Sequence, residues 1–156
     1  MDDISFKVDH MKFNYRVAAL ITNGDQVLLQ TNTRDDFWSL VGGRVKFNET
    51  SKEALIREIE EEIGIIIKDE EATLIHIAEN FFDYNDKEFH ELLFIYRVNG
   101  VGYDIVNKQD FNGLDKETDT NHWFNIEEIK DLSVQPAILK EIINDHELKH
   151  SIIIDN

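Results

Sequence analysis

The stretch from Thr50 to Gly64, TSKEALIREIEEEIG, fixes one element of this chain ahead of all others. Thr50 with Glu53 three residues on is the signature of a capping box, and Gly64 stands where a glycine ends a helix in the left-handed conformation. At about 100° per residue, Leu55, Ile56, Ile59 and Ile63 fall within one arc, so one side of this helix must be buried. With Glu58 set at 0°, Glu61 lies near roughly −60° and Glu62 near roughly +40°, on one face beside the apolar arc, while Glu60 points nearly opposite. A glutamate-rich face is most simply a solvated one. Three neighbouring carboxylates nevertheless repel one another, and a cation among them removes that cost. Hard oxygen donors suit Mg²⁺, which keeps part of its water shell and shares substrate phosphates.

Strand patterns surround the helix. Lys12 to Thr22 alternates with a period of two (Phe13, Tyr15, Val17, Ala19, Ile21), Asn23-Gly24-Asp25 is a turn signal, and Gln26 to Gln30 reads as the hairpin partner. Phe37 to Val41 is short and apolar before Gly42-Gly43. Ile65 to Ile67, Ala72 to Ala78, Glu88 to Val98 and Trp123-Phe124 read as strands. Ile126 to Leu132 and Gln135 to Asn144 read as helices, the second with Pro136 near its start. Residues 100–121 are long and acidic and receive no regular structure, and Leu148 to Ile154 is either a strand or a frayed tail. These patterns predict an α/β fold, a mixed β-sheet sandwiched between helices (α/β/α), in one domain over residues 1–156.

Composition excludes several functions. With 16 Lys+Arg against 32 Asp+Glu, the net charge of −16 repels nucleic-acid backbones, and no duplex nucleic acid is expected as a partner. It repels free phosphates too, so a phosphate substrate needs divalent cations to carry the attraction. Cysteine is absent, which removes disulfides, zinc-thiolate sites and cysteine nucleophiles and fits a reducing, cytoplasmic setting. The start, MDDIS, lacks the basic and apolar regions of a signal peptide, and no apolar run has the length of a membrane span, so no membrane partner is expected.

The segment from Gly43 to Ile65 resembles the signature of the Nudix hydrolases, Gly-x5-Glu-x7-Arg-Glu-U-x-Glu-Glu-x-Gly-U with U a bulky aliphatic. Gly43, Glu49, Arg57, Glu58, Glu61, Glu62 and Gly64 occupy the fixed positions, and Ile59 and Ile65 the aliphatic ones, without a gap. The approach FWSLVGG and the later WFNIEEI are similar to that family's flanks, although Val41 stands where the family usually has proline. The resemblance extends over about residues 13–144. It implies the Nudix fold and water attack on one phosphorus of a diphosphate in a nucleoside-diphosphate-linked small molecule: a nucleotide, a dinucleoside polyphosphate or a nucleotide sugar. By the same resemblance Glu58 and Glu62 ligate Mg²⁺ (or Mn²⁺), Glu61 ligates it or positions the water, and Arg57 and Glu49 pair to hold helix and loop. Gly43 allows a tight turn, the Gly42 carbonyl is a further ligand, and Glu117 is the acid supplied by a late loop. A homodimer is compatible with this reading.

Beyond that box, Arg34 and Arg44 are candidate phosphate contacts because arginines are scarce here. Trp38 and Tyr84, with Phe37, Phe81 and Phe82, offer rings that stack on a base, burial being the commoner fate of such side chains. His76 and His90 read as structural. The alternative to an enzyme is a catalytically inactive Nudix-fold module that binds nucleotides or regulates. An isoprenoid-diphosphate isomerase on the same scaffold needs a cysteine that this chain lacks.

Overall fold

The computed structural model describes residues 2–99, 110–113 and 119–155. Its centre is strand β2 (Met11–Asn23), and every other element of the sheet is placed by what pairs with it. Along one edge β2 runs parallel to β7 (Lys87–Asn99) through twelve registered pairs, from Met11↔Glu88 to Thr22↔Asn99. Along its other edge three short partners follow in succession, all antiparallel. These are β1 (Ser5–Val8) at Met11 to Asn14, β5 (Val41–Arg44) at Arg16 to Ala19, and β3 (Gln26–Asn32) at Thr22 and Asn23. Gly24, at φ +57°, makes the β2–β3 turn.

Outward from β7, β6 (Ala72–Tyr84) folds back through a two-residue turn in which Asn85 and Asp86 both have positive φ, the geometry that matches strand twist. Beyond β6 lies β11 (Lys149–Asp155), parallel to it and at the edge of the sheet. Outward from β3 come β4 (Trp38–Ser39) and β10 (Val134–Gln135), while β9 (Asp119–Asn125) also pairs with β3 and carries β8 (Asp110–Asn112).

Alternation along β2 sends its side chains to two separate cores. Val17, Ala19 and Ile21 pack with Leu28, Tyr96, Val98 and Trp123 beneath helix α1 (Ser51–Ile63), which inserts Ala54, Leu55, Ile59 and Ile63. Ala18 and Leu20 pack with Leu29, Ile75, Ile95 and Phe124 on the opposite face. That second face is covered by a 3-10 helix, Ile126–Asp131, and by the short helix α2 (Leu139–Ile142). The result is a mixed, curled sheet with helical elements on both faces.

Several local expectations are corrected. Ile65 to Ile67 forms no strand: after Gly64 turns the chain at φ +75°, Ile67 drops into the first core while Ile66 stays exposed, and no ladder partner is available. The expected helix over Gln135 to Asn144 contracts to α2, because Val134 and Gln135 are taken by β4. Residues 110–112 and 119–121, read as irregular, are strand. The tail is a strand, β11. Glu117 and most of the acidic stretch lie outside the described residues. Among the described residues no helix is long and apolar enough to cross a membrane.

The β6–β11 contact contains a titratable link. His76 is buried, its Nε2 lies 2.7 Å from Ser151 Oγ, and its Nδ1 has no hydrogen-bond partner. Burial first, then the His150 and Lys149 charges, depress its proton affinity below the ordinary value of 6.5, and Asp145 only partly offsets them. Above pH 6.5 folded and unfolded chains are both neutral at this group, so its full contribution is present. As pH falls below that value the unfolded chain takes up the proton first, and stability is lost. Melting temperature followed from pH 7.5 to 5.5 is therefore expected to fall by several degrees more in the wild type than in His76→Gln; equal slopes would remove His76 from this role.

Candidate active site

Helix α1 starts and stops where its sequence dictates. Thr50 Oγ1 accepts from the Glu53 amide at 3.1 Å, the Thr50 amide donates to Glu53 Oε2 at 2.7 Å, and the Gly64 amide donates to the Glu60 carbonyl at 3.0 Å. Ser51 and Tyr96 share a buried hydroxyl–hydroxyl bond of 2.6 Å, which pins the first turn to β7. With its apolar side anchored, the helix turns Arg57, Glu58, Glu61 and Glu62 toward β5 and the loop that follows it.

Arg57 organises this region. Its five N–H donors all find acceptors. Nε donates to Glu49 Oε2 at 3.1 Å, Nη2 to Glu49 Oε1 at 2.6 Å and to the Arg44 carbonyl at 2.9 Å, and Nη1 to Glu58 Oε1 at 2.8 Å and Glu61 Oε2 at 3.2 Å. Glu49 Oε1 also accepts the Lys46 amide at 2.8 Å. The loop reaches this geometry through Asn48 at φ +66°, a conformation asparagine tolerates.

The electrostatics follow from those contacts. Burial pushes the Glu49 carboxyl up, but the Arg57 hydrogen bonds, the Lys46 amide and both cationic charges outweigh it and hold the group below its ordinary value. Burial pushes Glu58 up and prevails over the pull of Arg57. The bond to Glu49 is the largest influence keeping Arg57 protonated.

The two glycines before the loop serve different ends. A β-carbon on Gly42 would fall on the Val17 carbonyl and the Ala18 backbone, whereas one on Gly43 would fall on the Glu58 carboxyl group. Gly42 thus lets β5 pair with β2, and Gly43 makes room for an acid. Glu62, on the same helix face, accepts from Gln30 Nε2 at 3.4 Å, and Gln30 also reaches the fully buried Asn121 at 3.3 Å.

The structure therefore gathers Glu49, Arg57, Glu58 and Glu61 in one network beside Gly43, with Glu62 on its flank. Arg44 contributes its carbonyl to that network, and its side chain lies 3.5 Å from Asp3. Arg34 sits in the loop after β3, outside the network. Trp38 packs edge-on against Phe124, at a ring distance of 4.8 Å, in the second core. Tyr84 stands at the β6–β7 turn, exposed. Gln30 and Arg16 escaped sequence reading. Gln30 was legible in principle as the polar residue two beyond Leu28 on the helix-facing side of β3, whereas Arg16, on the opposite face of β2, acts on Glu58 only through its charge.

Among the described residues no three Asp, Glu or His side chains are gathered into a ready-made cage for an ion, since Glu58 and Glu61 turn to Arg57. The donor set itself, carboxylate oxygens on one rigid face, has the chemistry that hard divalent cations require.

A helix-borne acid face, braced by an arginine–glutamate pair and set against a glycine of the sheet, is the polar centre of this α/β domain. The family model of the NUDIX domain matches residues 12–145, and the chain belongs to the Nudix hydrolase family. It is 27% identical over 130 residues to the NAD-capped RNA hydrolase NudC of Pseudomonas aeruginosa strain PAO1, covering 82% of this chain and 42% of that protein. It is 31% identical over 84 residues to the RNA pyrophosphohydrolase of Ruthia magnifica subsp. Calyptogena magnifica, covering 53% of this chain and 46% of the relative. The chain thus spans less than half the length of these relatives. A solved structure of a MutT protein from Bacillus halodurans shares the fold, with a TM-score of 0.69, 21% identity and 88% coverage of both chains.

Two outcomes are expected from this geometry. Arg57→Ala should cost about 2–3 kcal/mol of unfolding free energy in urea, given hydrogen bonds to charged groups. Glu49→Gln should cost less, and the double variant less than the sum; simple additivity would show that the two side chains are not coupled. Gly42→Ala should lower the melting temperature far more than Gly43→Ala, because backbone cannot yield to a new methyl and the Glu58 side chain can; the opposite order would contradict the packing described.

Proposed function

We propose that this chain hydrolyses a diphosphate linkage in a nucleoside-diphosphate-linked substrate, with Mg²⁺ or a similar divalent cation. The observation that carries the proposal is the Arg57 network, which holds Glu58 and Glu61 on one helix face beside Gly43. Its likeness to the NAD-capped RNA hydrolase, the RNA pyrophosphohydrolase and an 8-oxo-dGTP diphosphatase of Proteus vulgaris supports chemistry at a phosphoric anhydride.

Glu58, Glu61 and Glu62, with the Gly42 carbonyl, are the groups that would hold the cation. Once bound, it supplies charge neutralisation at the phosphate oxygens and acidifies a coordinated water. The side chain of Glu61 is 42% exposed against 13% for Glu58, so Glu61 remains open to solvent. It accepts the proton of the attacking water as the oxygen bonds to phosphorus and the bridging P–O bond breaks, the leaving phosphate carrying off the bond's electron pair. Arg57 keeps Glu61 and Glu58 in place and stabilises the loop behind them. Glu49 does not touch substrate; it fixes Arg57.

The test is release of phosphate, pyrophosphate or nucleoside monophosphate across a panel of nucleotides, dinucleoside polyphosphates and nucleotide sugars. With Mg²⁺, wild type should turn over at least one class, while Glu61→Gln and Glu62→Gln lose about a hundredfold or more. Mg²⁺ should raise the melting temperature of wild type and much less that of Glu58→Gln/Glu62→Gln, because it binds the folded acid face. Near-wild-type turnover in the single variants would remove these carboxylates from the reaction, and turnover of nothing would make the chain a non-hydrolysing module.

A further inference from the structure

The sheet face away from α1 ends in a cavity. There the β2–β7 ladder closes with the rows Leu20↔Arg97 and Thr22↔Asn99, past Leu93 and Ile95 of the second core. Arg97 is 8% exposed, and with Thr22 and Asn99 it borders a cavity of about 390 Å³. The β2–β3 turn and Ile126 line one part of it, and Ile143, Asn144 and His146 after α2 line another. Both parts are held in place. The Ile126 amide donates to the Asp25 carbonyl at 2.8 Å, and Arg97 Nη2 donates to the carbonyls of Ile143 at 2.7 Å and Asp145 at 2.8 Å.

Arg97 is incompletely satisfied. Nη2 carries both of those bonds, Nε is buried without a partner, and Nη1 makes no hydrogen bond among the described residues. Nor does any carboxylate among them lie within ion-pair distance of the guanidinium. Asp145, the acid whose charge acts on it, turns its Oδ1 to Lys149 at 3.3 Å. A guanidinium stays protonated inside a protein, so a whole positive charge is more than nine-tenths buried and faces two carbonyl dipoles. Buried charges are ordinarily paired, because an unpaired one loses its hydration without compensation.

The rest of the lining agrees with that charge. Asn99 Oδ1 accepts from Thr22 Oγ1 at 3.0 Å, so the Asn99 amide keeps its Nδ2 protons for another acceptor. Asn23 and Asn144 add neutral amides, and Ile126 and Ile143 give the cavity apolar sides. Asp25, the one acid of the lining among the described residues, is exposed at the turn. A volume of about 390 Å³ exceeds what a bare ion requires and falls within the range of small-molecule sites. One buried cation, amide donors and two isoleucines suit an anionic head on a small apolar body.

We infer that this cavity is a second binding site, in which Arg97 and Asn99 hold the head of a small organic oxyanion, a carboxylate or a phosphate monoester. Nη1 is the contact Arg97 has to offer, since Nη2 is committed to the end of α2 and Nε is enclosed. The site lies across the sheet from the acid helix, so it fills independently of any cation or substrate there.

The experiment uses the metal-free protein and needs no turnover. Melting temperature is followed while benzoate, phenyl phosphate or inorganic phosphate is added, each against sodium chloride at equal ionic strength. Benzoate and phenyl phosphate separate the two head groups, and inorganic phosphate tests whether the apolar body matters. At least one of the two organic anions should raise the melting temperature by several degrees near saturation, because it binds the folded chain alone; inorganic phosphate should do less. Asn99→Asp keeps the acceptor for Thr22 and places a carboxylate beside Arg97 at unchanged size. Without any added anion it should melt above wild type, and its affinity for the active anion should fall at least tenfold. Lys12→Gln, toward the other end of β2, should bind as wild type does. Stabilisation no greater than that by chloride, inorganic phosphate matching the better organic anion, undiminished affinity in Asn99→Asp, or an equal loss in Lys12→Gln overturns the assignment.

Discussion

One guanidinium holds the site together. Arg57 is the point where helix, loop and strand meet, because its planar fork supplies five donors in fixed directions, two to Glu49 of the loop, two to Glu58 and Glu61 of the helix and one to the Arg44 carbonyl of the strand. Lysine carries the same charge but has no fork, and could not bind the Arg44 carbonyl, Glu49 bidentately and two helix carboxylates at once. The arrangement also explains how a crowded acid face survives in a chain that is already strongly negative. Arg57 neutralises part of the repulsion locally, so that Glu58 can be largely buried against Gly43.

The sheet sets the frame for that network. β2 has one long partner, β7, on one edge and three short ones on the other, so residues from β1, β5 and β3 are delivered in sequence along a single straight element. Its alternation splits the apolar content into two cores, one beneath α1 and one beneath α2 and the neighbouring 3-10 helix. The acid helix therefore rests on a layer that is itself supported from behind.

What could be read in advance was what is local. Helix α1 was legible to within a residue because its cap, its apolar arc and its terminal glycine lie within fifteen residues. The acid face came with it, since spacing on a helix fixes direction. Ile65 to Ile67 misled because three β-branched residues in a row are strand-like, yet only a partner makes a strand, and Gly64 turns the chain away from any. β10 was invisible for the converse reason: its partner β4 is nearly a hundred residues earlier. Gln30 and Arg16 belong to the same category, polar residues in strands whose neighbourhood is created by pairing over long separations.

The parallel β2–β7 ladder has a consequence for how the chain reaches this state. It joins residues 77 positions apart, as in Met11↔Glu88, whereas the β6–β7 hairpin closes across Asn85 and Asp86 alone. Loop-closure entropy opposes the first and scarcely touches the second. Helix α1 and the β6–β7 hairpin can thus form from nearby residues, while the central ladder waits until α1 and the whole intervening chain have been drawn in. Until then the edge of β2 that β7 covers stays open, an apolar strand flank exposed to other copies during synthesis.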